Sequence, residues 1–323
     1  MYRVGIIGCG NISAVHARTL RELENTELAA CADVIPERAA RYGCLAYPDW
    51  ERMLSDVRPD AVHLCTPHHL HPVMAQEAAR RGIAVFTEKP PAIDQEGWET
   101  VKQAARLVPV GICFQNRFHP GIRMIRNMID GGDYGPLRGI RGFVTWNRTK
   151  GYYEEAAWKG RWATEGGGAL INQSIHTLDL ILGFLGEPDT VEASMRNHHL
   201  RDTVEVEDTV EIYLRRDGIP ALLYASTAYS QDAPVIFEVH LEHAVLRLEG
   251  DLLTVISGGT KQEIPLVTDE AMGRAYWGSG HKACIADFYR SVETGEAFRN
   301  SPSSCENTMK TLFRVYDQCR PGL

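Results

Sequence analysis

The chain has 323 residues, a length that corresponds on average to about two domains. Its 44% hydrophobic and 24% charged residues are typical of a globular protein, and its net charge of −8 argues against a nucleic-acid or anionic-membrane partner. The first strand pattern follows Met1 without the features of a signal peptide, and no apolar run reaches the ~20 residues of a membrane span, so we expect a cytoplasmic protein. The eight cysteines include no C-x-x-C pair, which indicates reduced core residues.

The chain begins with a strand, a glycine-rich turn and a helix. The strand covers Tyr2–Ile7, and the helical pattern covers 14–24. Between them, Gly8 permits a tight turn and Gly10 lets the backbone approach a pyrophosphate, whose charge then lies at the helix N terminus. Ser13 replaces the third glycine of the dinucleotide fingerprint and is small enough for close helix packing. The cofactor contacts expected from this turn are Gly8, Gly10, Asn11 and Ile12.

A second strand, 28–32, ends in Asp33, 23 residues beyond Gly10. An acidic residue at this place accepts hydrogen bonds from the adenosine ribose and repels a 2′-phosphate, which favours NAD over NADP. Arg38 lies nearby and is suited to a phosphate, so NADP is not excluded. The alternative is a glycine turn in an unrelated βαβ unit. Against it, the strand, the helix and the acidic residue all occupy the positions that dinucleotide binding requires.

Helical patterns at 36–42 and 50–55 lead to a buried strand, 60–65, and then to a histidine-rich loop and a helix at 72–81. Four histidines fall within nine residues of this stretch, which suggests a zinc site as one alternative. No cysteine or carboxylate is placed to complete the ligand set, so we expect no metal and a loop beside the nucleotide. The predicted cofactor contacts in this loop are Thr66, Pro67 and His71.

An apolar strand at 83–86 is ended by Pro90 and Pro91. Lys89 is therefore presented at the end of a core strand, where open α/β sheets bind ligands. A lysine there is suited to polarise a hydroxyl or to take part in proton transfer. The alternative is an exposed surface lysine. The next strand pattern, 108–114, completes an alternation of strands and helices that requires a parallel, doubly wound sheet.

The motifs of this half resemble the Gfo/Idh/MocA family, named for glucose-fructose oxidoreductase, inositol dehydrogenase and MocA. The matching pieces are GCGNIS at 8–13 with His16 behind it, the T-P-x-x-x-H of Thr66, Pro67 and His71, the triplet Glu88-Lys89-Pro90, and FQNRF at 114–118. The resemblance implies an N-terminal NAD(P)-binding Rossmann domain, 1–118, and a C-terminal α/β domain, 119–323, with a large open sheet for substrate binding and oligomerisation. It also implies a homodimer or homotetramer, a catalytic Lys89, and cofactor contacts from Glu88, Lys89 and Asn116.

Beyond residue 119 the pattern changes to a helix, 122–131, and a long strand, 137–146, followed by a loop rich in aromatic and basic residues. Aromatic faces stack on sugar rings, and guanidinium groups fix hydroxyls or a carboxylate. The same residue types also dock loops on a domain or on a neighbouring subunit, and both interpretations stay open. The candidate substrate contacts in this loop are Trp158, Arg161 and Trp162.

Three glycines open a helix predicted over 169–185. Asn172 and His176 are four residues apart and share one face, with Asp179 one turn further on. An imidazole there can take the proton from an alcohol as hydride leaves its carbon, and the amide can hold the hydroxyl; a structural histidine is the alternative. The resemblance implies a D-x-x-x-H element here that acts with the strand lysine, so Lys89, His176 and Asn172 are the candidate catalytic and substrate-binding residues. Asn172 departs from the aspartate of many members, and an amide cannot relay a proton.

The rest of the chain shows strands of period two, which build one large, mainly antiparallel sheet. They are predicted at 190–195, 208–214, 221–229, 236–241, 245–248 and 252–256. Glu205, Glu207 and Asp208 precede one of these strands and are expected to form a solvated face. Tyr276 is a further candidate substrate contact, with helix capping as the alternative for its segment. The last two helices are predicted at 282–294 and 304–319.

These residues predict an NAD-dependent dehydrogenase, and the family resemblance implies that it acts on a secondary hydroxyl of a sugar, sugar derivative or cyclitol. One alternative is a redox-neutral, NAD-dependent glycosidase, which oxidises its substrate transiently and recycles the cofactor. Another is an NAD-binding regulatory protein. The expected partners are a carbohydrate-like small molecule and further copies of the chain, without nucleic acid or membrane.

Overall fold

The computed structural model describes residues 1–268 and 280–320 of the chain. These residues fall into two units. The first contains Met1–Gln115 and His281–Cys305, and the second contains 116–268, Gly280 and 306–320. The sequence expectation assigned everything after residue 118 to the second domain, whereas the structure groups 281–305 with the first unit.

The first unit is built on a parallel sheet of six described strands. They are β1 (Tyr2–Ile7), β2 (Thr26–Ala32), β3 (Leu45–Tyr47), β4 (Ala61–Leu64), β5 (Ala84–Thr87) and β6 (Val110–Ile112). Their order across the sheet is β3-β2-β1-β4-β5-β6, which is the order of a doubly wound dinucleotide-binding sheet. Strands β4 and β5 are buried along their whole length, as the continuous apolar runs of the sequence predict for a sheet covered on both faces.

Helices connect these strands in the way parallel strands require. They are α1 (Ser13–Glu22), α2 (Pro36–Ala40), α3 (Trp50–Val57), α4 (His71–Arg80) and α5 (Gln95–Ala104). Aspartate side chains accept backbone hydrogen bonds at two of the N termini, Asp49 at α3 and Asp94 at α5. Such caps stabilise a helix because its first amides have no partner within the helix.

The second unit contains a sheet of eight described strands. They are β7 (Leu137–Thr145), β8 (Thr190–Arg196), β9 (Thr209–Arg216), β10 (Ile219–Ser226), β11 (Ile236–Leu241), β12 (Ala244–Glu249), β13 (Leu252–Ser257) and β14 (Thr260–Pro265). Each of them lies antiparallel to at least one neighbour, and β7 and β10 pair in parallel. The order is β14-β13-β12-β11-β7-β10-β9-β8. Strand β14 was not predicted because it is largely exposed and polar, as edge strands commonly are.

Three helices of this unit precede or cover the sheet: α6 (Pro120–Gly131), α7 (Lys150–Glu154) and α8 (Ile175–Leu185). Helix α7 lies in the stretch predicted as a loop. Helix α8 approaches β7 closely because position 142 is a glycine. A Cβ atom there would lie 2.4 Å from the side chain of Thr177, well inside contact distance.

The chain ends in α9 (His281–Thr294) and α10 (Pro302–Cys319). Phe288 of α9 packs on Phe86 of β5 with ring centroids 5.3 Å apart, and Tyr289 reaches His63 of β4 with a hydrogen bond of 2.9 Å. These buried contacts with the parallel sheet explain why 281–305 belongs to the first unit. In the described part of the chain, no helix has the length and apolar character needed to cross a membrane.

Candidate functional site

The turn between β1 and α1 contains two glycines with different roles. Gly8 has a φ of +87°, and a Cβ atom there would lie 2.6 Å from the carbonyl oxygen of Cys65, so the fold itself requires glycine. A Cβ atom at Gly10 would meet no protein atom within 4 Å. The protein therefore does not require a glycine at position 10, but a pyrophosphate that approaches the backbone does. This open space fits a dinucleotide.

The N terminus of α1 also suits an anion. No side chain caps it, and its first turn contains no acidic residue. Asn11 is exposed and Ile12 is half-buried, so the turn is accessible. The hydroxyl of Ser13 donates 2.6 Å to the carbonyl of Gly10, which ties the turn to the helix. Backbone amides and the helix dipole at such an end attract phosphate groups.

Sequence reasoning missed two residues that brace this turn, Arg41 and Tyr42. The guanidinium of Arg41 donates to the carbonyls of Cys9 and Gly10, each at 2.8 Å. The hydroxyl of Tyr42 lies 2.6 Å from that of Ser13. Neither residue belongs to a motif, and they lie about thirty positions from the turn in sequence, so only the folded chain shows the contact.

Asp33 lies at the end of β2, as predicted, and its carboxylate is oriented by two backbone amides. Cys9 donates to one carboxylate oxygen at 2.7 Å and Ile35 to the other at 2.8 Å. Each oxygen keeps a further lone pair, which is what binding a ribose diol requires. Arg38 is exposed, on α2.

The predicted histidine-rich loop does not gather its histidines at one point. His71 is buried, and its two ring nitrogens lie 2.9 Å from the carbonyl oxygen of Thr66 and 2.8 Å from that of Pro90. It therefore ties the ends of β4 and β5 together. Burial lowers the pKa of His71, so at neutral pH the ring is uncharged and donates to one carbonyl at a time. Pro67 is half-buried at the start of the short turn His68–Leu70.

Glu88 follows β5 and stands at one end of a buried chain of hydrogen bonds. Its carboxylate lies 2.9 Å from Nε2 of His16, whose Nδ1 lies 2.8 Å from Nδ1 of His63. Nε2 of His63 in turn lies 2.9 Å from the hydroxyl of Tyr289. The backbone amide of Lys89 donates to the second carboxylate oxygen of Glu88 at 3.2 Å.

Electrostatics sets the charge of Glu88 and of two buried histidines near it. Burial alone raises the pKa of Glu88, but the hydrogen bond and charge of His16 outweigh it and hold the pKa well below its usual range. Burial also holds the pKa of His63 well below its usual value and lowers that of His281 to about 4. Glu88 is therefore an ionised carboxylate at neutral pH, next to the half-buried Lys89.

Among the described residues, one cluster of three side chains has its possible ligand atoms close enough together to bind a single metal ion. Single ligand atoms of His16, Glu88 and Cys113 lie within 4.8 Å of one another, all of them buried. The hydrogen bond between His16 and Glu88 accounts for their closeness. The expectation that no metal binds stays a prediction.

In the second unit, a π-helical turn, Ala169–Ser174, precedes α8. The helix predicted over 169–185 is therefore π-helical up to residue 174 and α-helical from residue 175. The carboxylate of Glu207 holds the start of this turn by accepting from the amides of Gly168 at 3.0 Å and Leu170 at 2.9 Å, and from the hydroxyl of Tyr316 at 3.0 Å.

The expectation of a solvated acidic face was therefore wrong for two of its three members. Glu207 and Asp208 are buried, and only Glu205 is exposed. Asp208 accepts backbone hydrogen bonds from His198 at 2.8 Å and His199 at 2.6 Å. Backbone donors thus replace water around both buried carboxylates.

Asn172 lies on the π-helical turn and donates from its side-chain amide to the carboxylate of Glu165. Glu165 is buried, and it also accepts from the backbone amide of Gly160. Burial raises the pKa of Glu165 to about 7. The hydroxyl of Tyr152 lies 3.5 Å from Asn172 and accepts from Gln173 at 3.0 Å. Sequence reasoning missed Glu165, which stands directly before the three glycines and was read as loop.

His176 is half-buried in the first turn of α8. Asp179, one turn further on, has a structural role: it accepts two hydrogen bonds from the guanidinium of Arg117 at 2.7 and 2.5 Å, and one from Thr308 at 2.7 Å. Asn116 precedes Arg117 and is half-buried in the turn Gln115–Phe118.

The aromatic and basic loop is tied to a neighbouring segment of the same unit. The indole of Trp162 donates 2.9 Å to the carbonyl of Glu205, and Arg161 forms an ion pair with the carboxylate of that residue at 3.2 Å. Trp158 is half-buried and accepts from Thr164 at 2.7 Å through its carbonyl. Substrate contact by these three residues stays a prediction, and Tyr276 lies outside the described residues.

Two family models match the chain. Residues 2–111 match an oxidoreductase family with an NAD-binding Rossmann fold, and residues 122–247 match the GFO/IDH/MocA C-terminal domain; together they cover more than two thirds of the chain. The chain belongs to the Gfo/Idh/MocA family. Its parallel sheet is the NAD-binding Rossmann fold of that family, which confirms the predicted fold class and cofactor.

Individual members of the family are similar over large parts of the chain. An inositol 2-dehydrogenase of Rhizobium meliloti (strain 1021) is 30% identical over 202 residues, which are 59% of this chain and 58% of the relative. A D-glucoside 3-dehydrogenase of Escherichia coli (strain K12) is 32% identical over 200 residues, 58% of this chain and 54% of the relative. The chain therefore spans a little over half the length of these curated relatives.

A solved structure of the family matches both units. It is the WlbA dehydrogenase from Bordetella pertussis in complex with NADH and UDP-GlcNAcA, with a TM-score of 0.86 and 25% identity. The match covers 100% of this chain and 97% of that chain. The Rossmann sheet and the large, mainly antiparallel sheet therefore occur together in a solved member of this family.

Proposed function

We propose that the protein is an NAD-dependent dehydrogenase that transfers a hydride from a secondary hydroxyl of a sugar, sugar derivative or cyclitol to nicotinamide. The observation that carries the proposal is the presence, in one chain, of an NAD-binding Rossmann domain and of two acid/base side chains suited to an alcohol, Lys89 and His176. The names of the relatives, which include inositol and D-glucoside dehydrogenases, support the substrate class.

The bound cofactor supplies the hydride acceptor, and the side chains handle the proton and the orientation of the substrate. Lys89 donates a hydrogen bond to the substrate oxygen and so favours the alkoxide that precedes hydride loss. His176 takes the hydroxyl proton, and Asn172 holds the hydroxyl in line. The proposed additional substrate contacts are Trp158, Arg161, Trp162 and Tyr276.

The cofactor contacts are proposed from the glycine turn, the acidic residue and the residues that follow the parallel strands. Asp33 binds the adenosine ribose, which makes NAD the preferred cofactor. The full proposed set is Gly8, Gly10, Asn11, Ile12, Asp33, Arg38, Thr66, Pro67, His71, Glu88, Lys89 and Asn116.

A substrate panel tests the proposal. The purified protein with NAD is mixed with hexoses, amino sugars, sugar acids, cyclitols and chromogenic glycosides, while NADH absorbance and released aglycone are followed in the same wells. NADH formation with one substrate group supports the dehydrogenase. Aglycone release without NADH would replace it with the redox-neutral glycosidase. Binding of NAD without NADH formation or aglycone release would favour the regulatory protein.

We also propose that the protein forms a homodimer or homotetramer through the large sheet of the second unit and acts in the cytoplasm. Leu222 on β10 and Ile256 on β13 are large hydrophobic residues with exposed side chains, and we propose them as members of the subunit contact. Sedimentation velocity of the wild type and of a Leu222→Lys/Ile256→Lys variant tests the assembly. Wild-type monomers at micromolar concentration would contradict it.

A further inference from the structure

Two cysteines of the Rossmann domain lie within reach of each other. Cys31 is fully buried in β2, and Cys44 is half-buried immediately before β3. Their Sγ atoms are joined by a hydrogen bond of 3.5 Å. In the parallel pairing of these strands Cys31 is opposite Ala46, and Cys44, two residues earlier, projects to the same face. The pairing therefore aims both thiols at one point.

The two thiols differ in reactivity. The hydrogen bond from Cys31 and the charge of Arg21 lower the pKa of Cys44 to about 7, against the opposing effect of burial. The pKa of Cys31 is raised by its interaction with Cys44 and by burial, so Cys31 keeps its proton. The Cys44 thiol donates the hydrogen bond when both groups are neutral, and the Cys31 thiol donates it once Cys44 is a thiolate. Since the thiolate is the reactive form, Cys44 is the attacking group and Cys31 the resolving one.

The segment that ends in Cys44 also holds the dinucleotide-binding turn. Arg41 donates to the carbonyls of Cys9 and Gly10, and Tyr42 contacts Ser13. Gly43 separates these residues from Cys44, has a φ of +68° and has open space around it. Cys44 is thus separated by only one or two residues from the side chains that contact the turn.

A disulfide would require such a displacement. Its sulfur atoms are about 2 Å apart, so the present 3.5 Å must shorten by about 1.5 Å. Cys31 is held in a central position by strand pairing on both sides, whereas Cys44 lies in a turn. The movement would therefore fall on Cys44 and its neighbours, and a backbone shift there would draw Arg41 and Tyr42 away from the turn.

We propose that Cys31 and Cys44 are a reversible redox pair that forms a disulfide with hydroperoxides and thereby weakens NAD binding. The Cys44 thiolate attacks one peroxide oxygen and breaks the O–O bond; hydroxide leaves and a sulfenic acid remains on Cys44. The Cys31 thiol then attacks that sulfur, the S–O bond breaks, the S–S bond forms, and the released hydroxide takes the Cys31 proton and leaves as water. Two thiols are oxidised and one hydroperoxide is reduced.

The test uses the full-length protein with hydrogen peroxide. After oxidation and alkylation of the remaining thiols, trypsin separates Cys31 and Cys44 into peptides 22–38 and 42–52, so a disulfide appears by mass spectrometry as one cross-linked species. NAD affinity is measured by titration calorimetry before and after oxidation. We expect the Kd to rise about tenfold, as loss of one or two hydrogen bonds to the turn would produce, and to return with dithiothreitol.

Three single substitutions distinguish the effect of a Cys31–Cys44 disulfide from the effects of oxidation elsewhere in the protein. Cys44→Ser should form no cross-link and keep its NAD affinity in peroxide, and Cys31→Ser should accumulate a sulfenic acid on Cys44 that dimedone traps. Cys319→Ser is the matched control, because Cys319 is also half-buried but burial raises its pKa; it should respond like wild type. Absence of the 31–44 cross-link, or a cross-linked protein with unchanged Kd, would overturn the proposal. Because the readouts are a peptide and a binding constant, they do not depend on the proposed sugar chemistry.

Discussion

The side-chain amide of Asn172 donates a hydrogen bond to the buried carboxylate of Glu165. The side chain of Asn172 is an amide, so it cannot itself ionise. The structure places a carboxylate beside the amide instead, and burial raises its pKa to about 7. Glu165 therefore titrates near neutral pH.

Glu165→Gln should make stability less dependent on pH. Because the folded-state pKa of about 7 lies above the ordinary value, the folded protein binds the extra proton between pH 4.5 and 7. The contribution of Glu165 to the free energy of unfolding is thus full below about pH 4.5 and is lost as pH rises through 7. Relative to wild type, the variant should gain up to about 3 kcal/mol between pH 4.5 and 8. Urea unfolding measured at both pH values checks this.

The control for this measurement is Glu192→Gln, at an exposed position of β8. It should follow the wild-type pH dependence. If the free energy of unfolding of Glu165→Gln also changes with pH as it does in wild type, the Glu165 carboxyl does not titrate between pH 4.5 and 8.

Gly8→Ala and Gly10→Ala should separate folding from cofactor binding. At Gly8 the added Cβ meets a carbonyl oxygen at 2.6 Å in a left-handed conformation, so the free energy of unfolding should fall by about 2 kcal/mol or more. At Gly10 the Cβ enters open space, so stability should stay within about 0.5 kcal/mol of wild type while NAD affinity falls at least about tenfold. Urea unfolding measures the free energy of unfolding, and calorimetry measures the Kd for NAD. A Gly10→Ala protein with wild-type NAD affinity would show that the dinucleotide does not lie over this turn.

His16→Ala should destabilise the first unit because it leaves the Glu88 carboxylate buried without its partner. The expected loss is roughly 3–5 kcal/mol at neutral pH. Since His16 holds the pKa of Glu88 low, the stabilisation is present above about pH 4.5 and is lost as pH falls further, so the difference from wild type should shrink in acid.

A double-mutant cycle isolates this interaction. Adding Glu88→Gln to His16→Ala should recover part of the loss, because a neutral amide is less costly to bury than an unpaired carboxylate. His69→Ala, at a half-buried position of the neighbouring loop, serves as the control. Additive effects of the two single substitutions would show that His16 and Glu88 are not coupled.

Asp33→Asn should relax the preference for NAD over NADP. The substitution keeps the size of the side chain but removes the charge that repels a 2′-phosphate, so the ratio of the two Kd values should shift toward NADP by about tenfold. Calorimetry with both dinucleotides checks this, with Arg38→Ala as a comparison because Arg38 is the exposed cation nearby. An equal loss of affinity for both cofactors would mean that Asp33 only shapes the turn that it holds through Cys9.

The sequence allowed prediction of features that depend on local patterns. The bounds of β1, the alternation of strands and helices that predicts a parallel sheet, and the place of Gly8, Gly10 and Asp33 follow from periodicity and spacing. The three-residue strand β3 and helix α5 were not predicted. Features that depend on distant partners were missed. Arg41 contacts the glycine turn only after the sheet has formed, and Glu207 is buried only because backbone amides of the π-helical turn surround it. The π-helical turn itself has the same apolar spacing as an α-helix over so few residues.

The most direct test of the central claim is the fate of the hydrogen on the substrate carbon. A substrate from the active group of the panel, deuterated at its carbinol carbon, is incubated with the enzyme and NAD, and the mass of the NADH formed is measured. Direct hydride transfer predicts NADH that is one mass unit heavier and a matching carbonyl product, with turnover strongly reduced in Lys89→Ala even at saturating NAD. Unlabelled NADH, or labelled NADH formed at the wild-type rate by Lys89→Ala, would contradict the account.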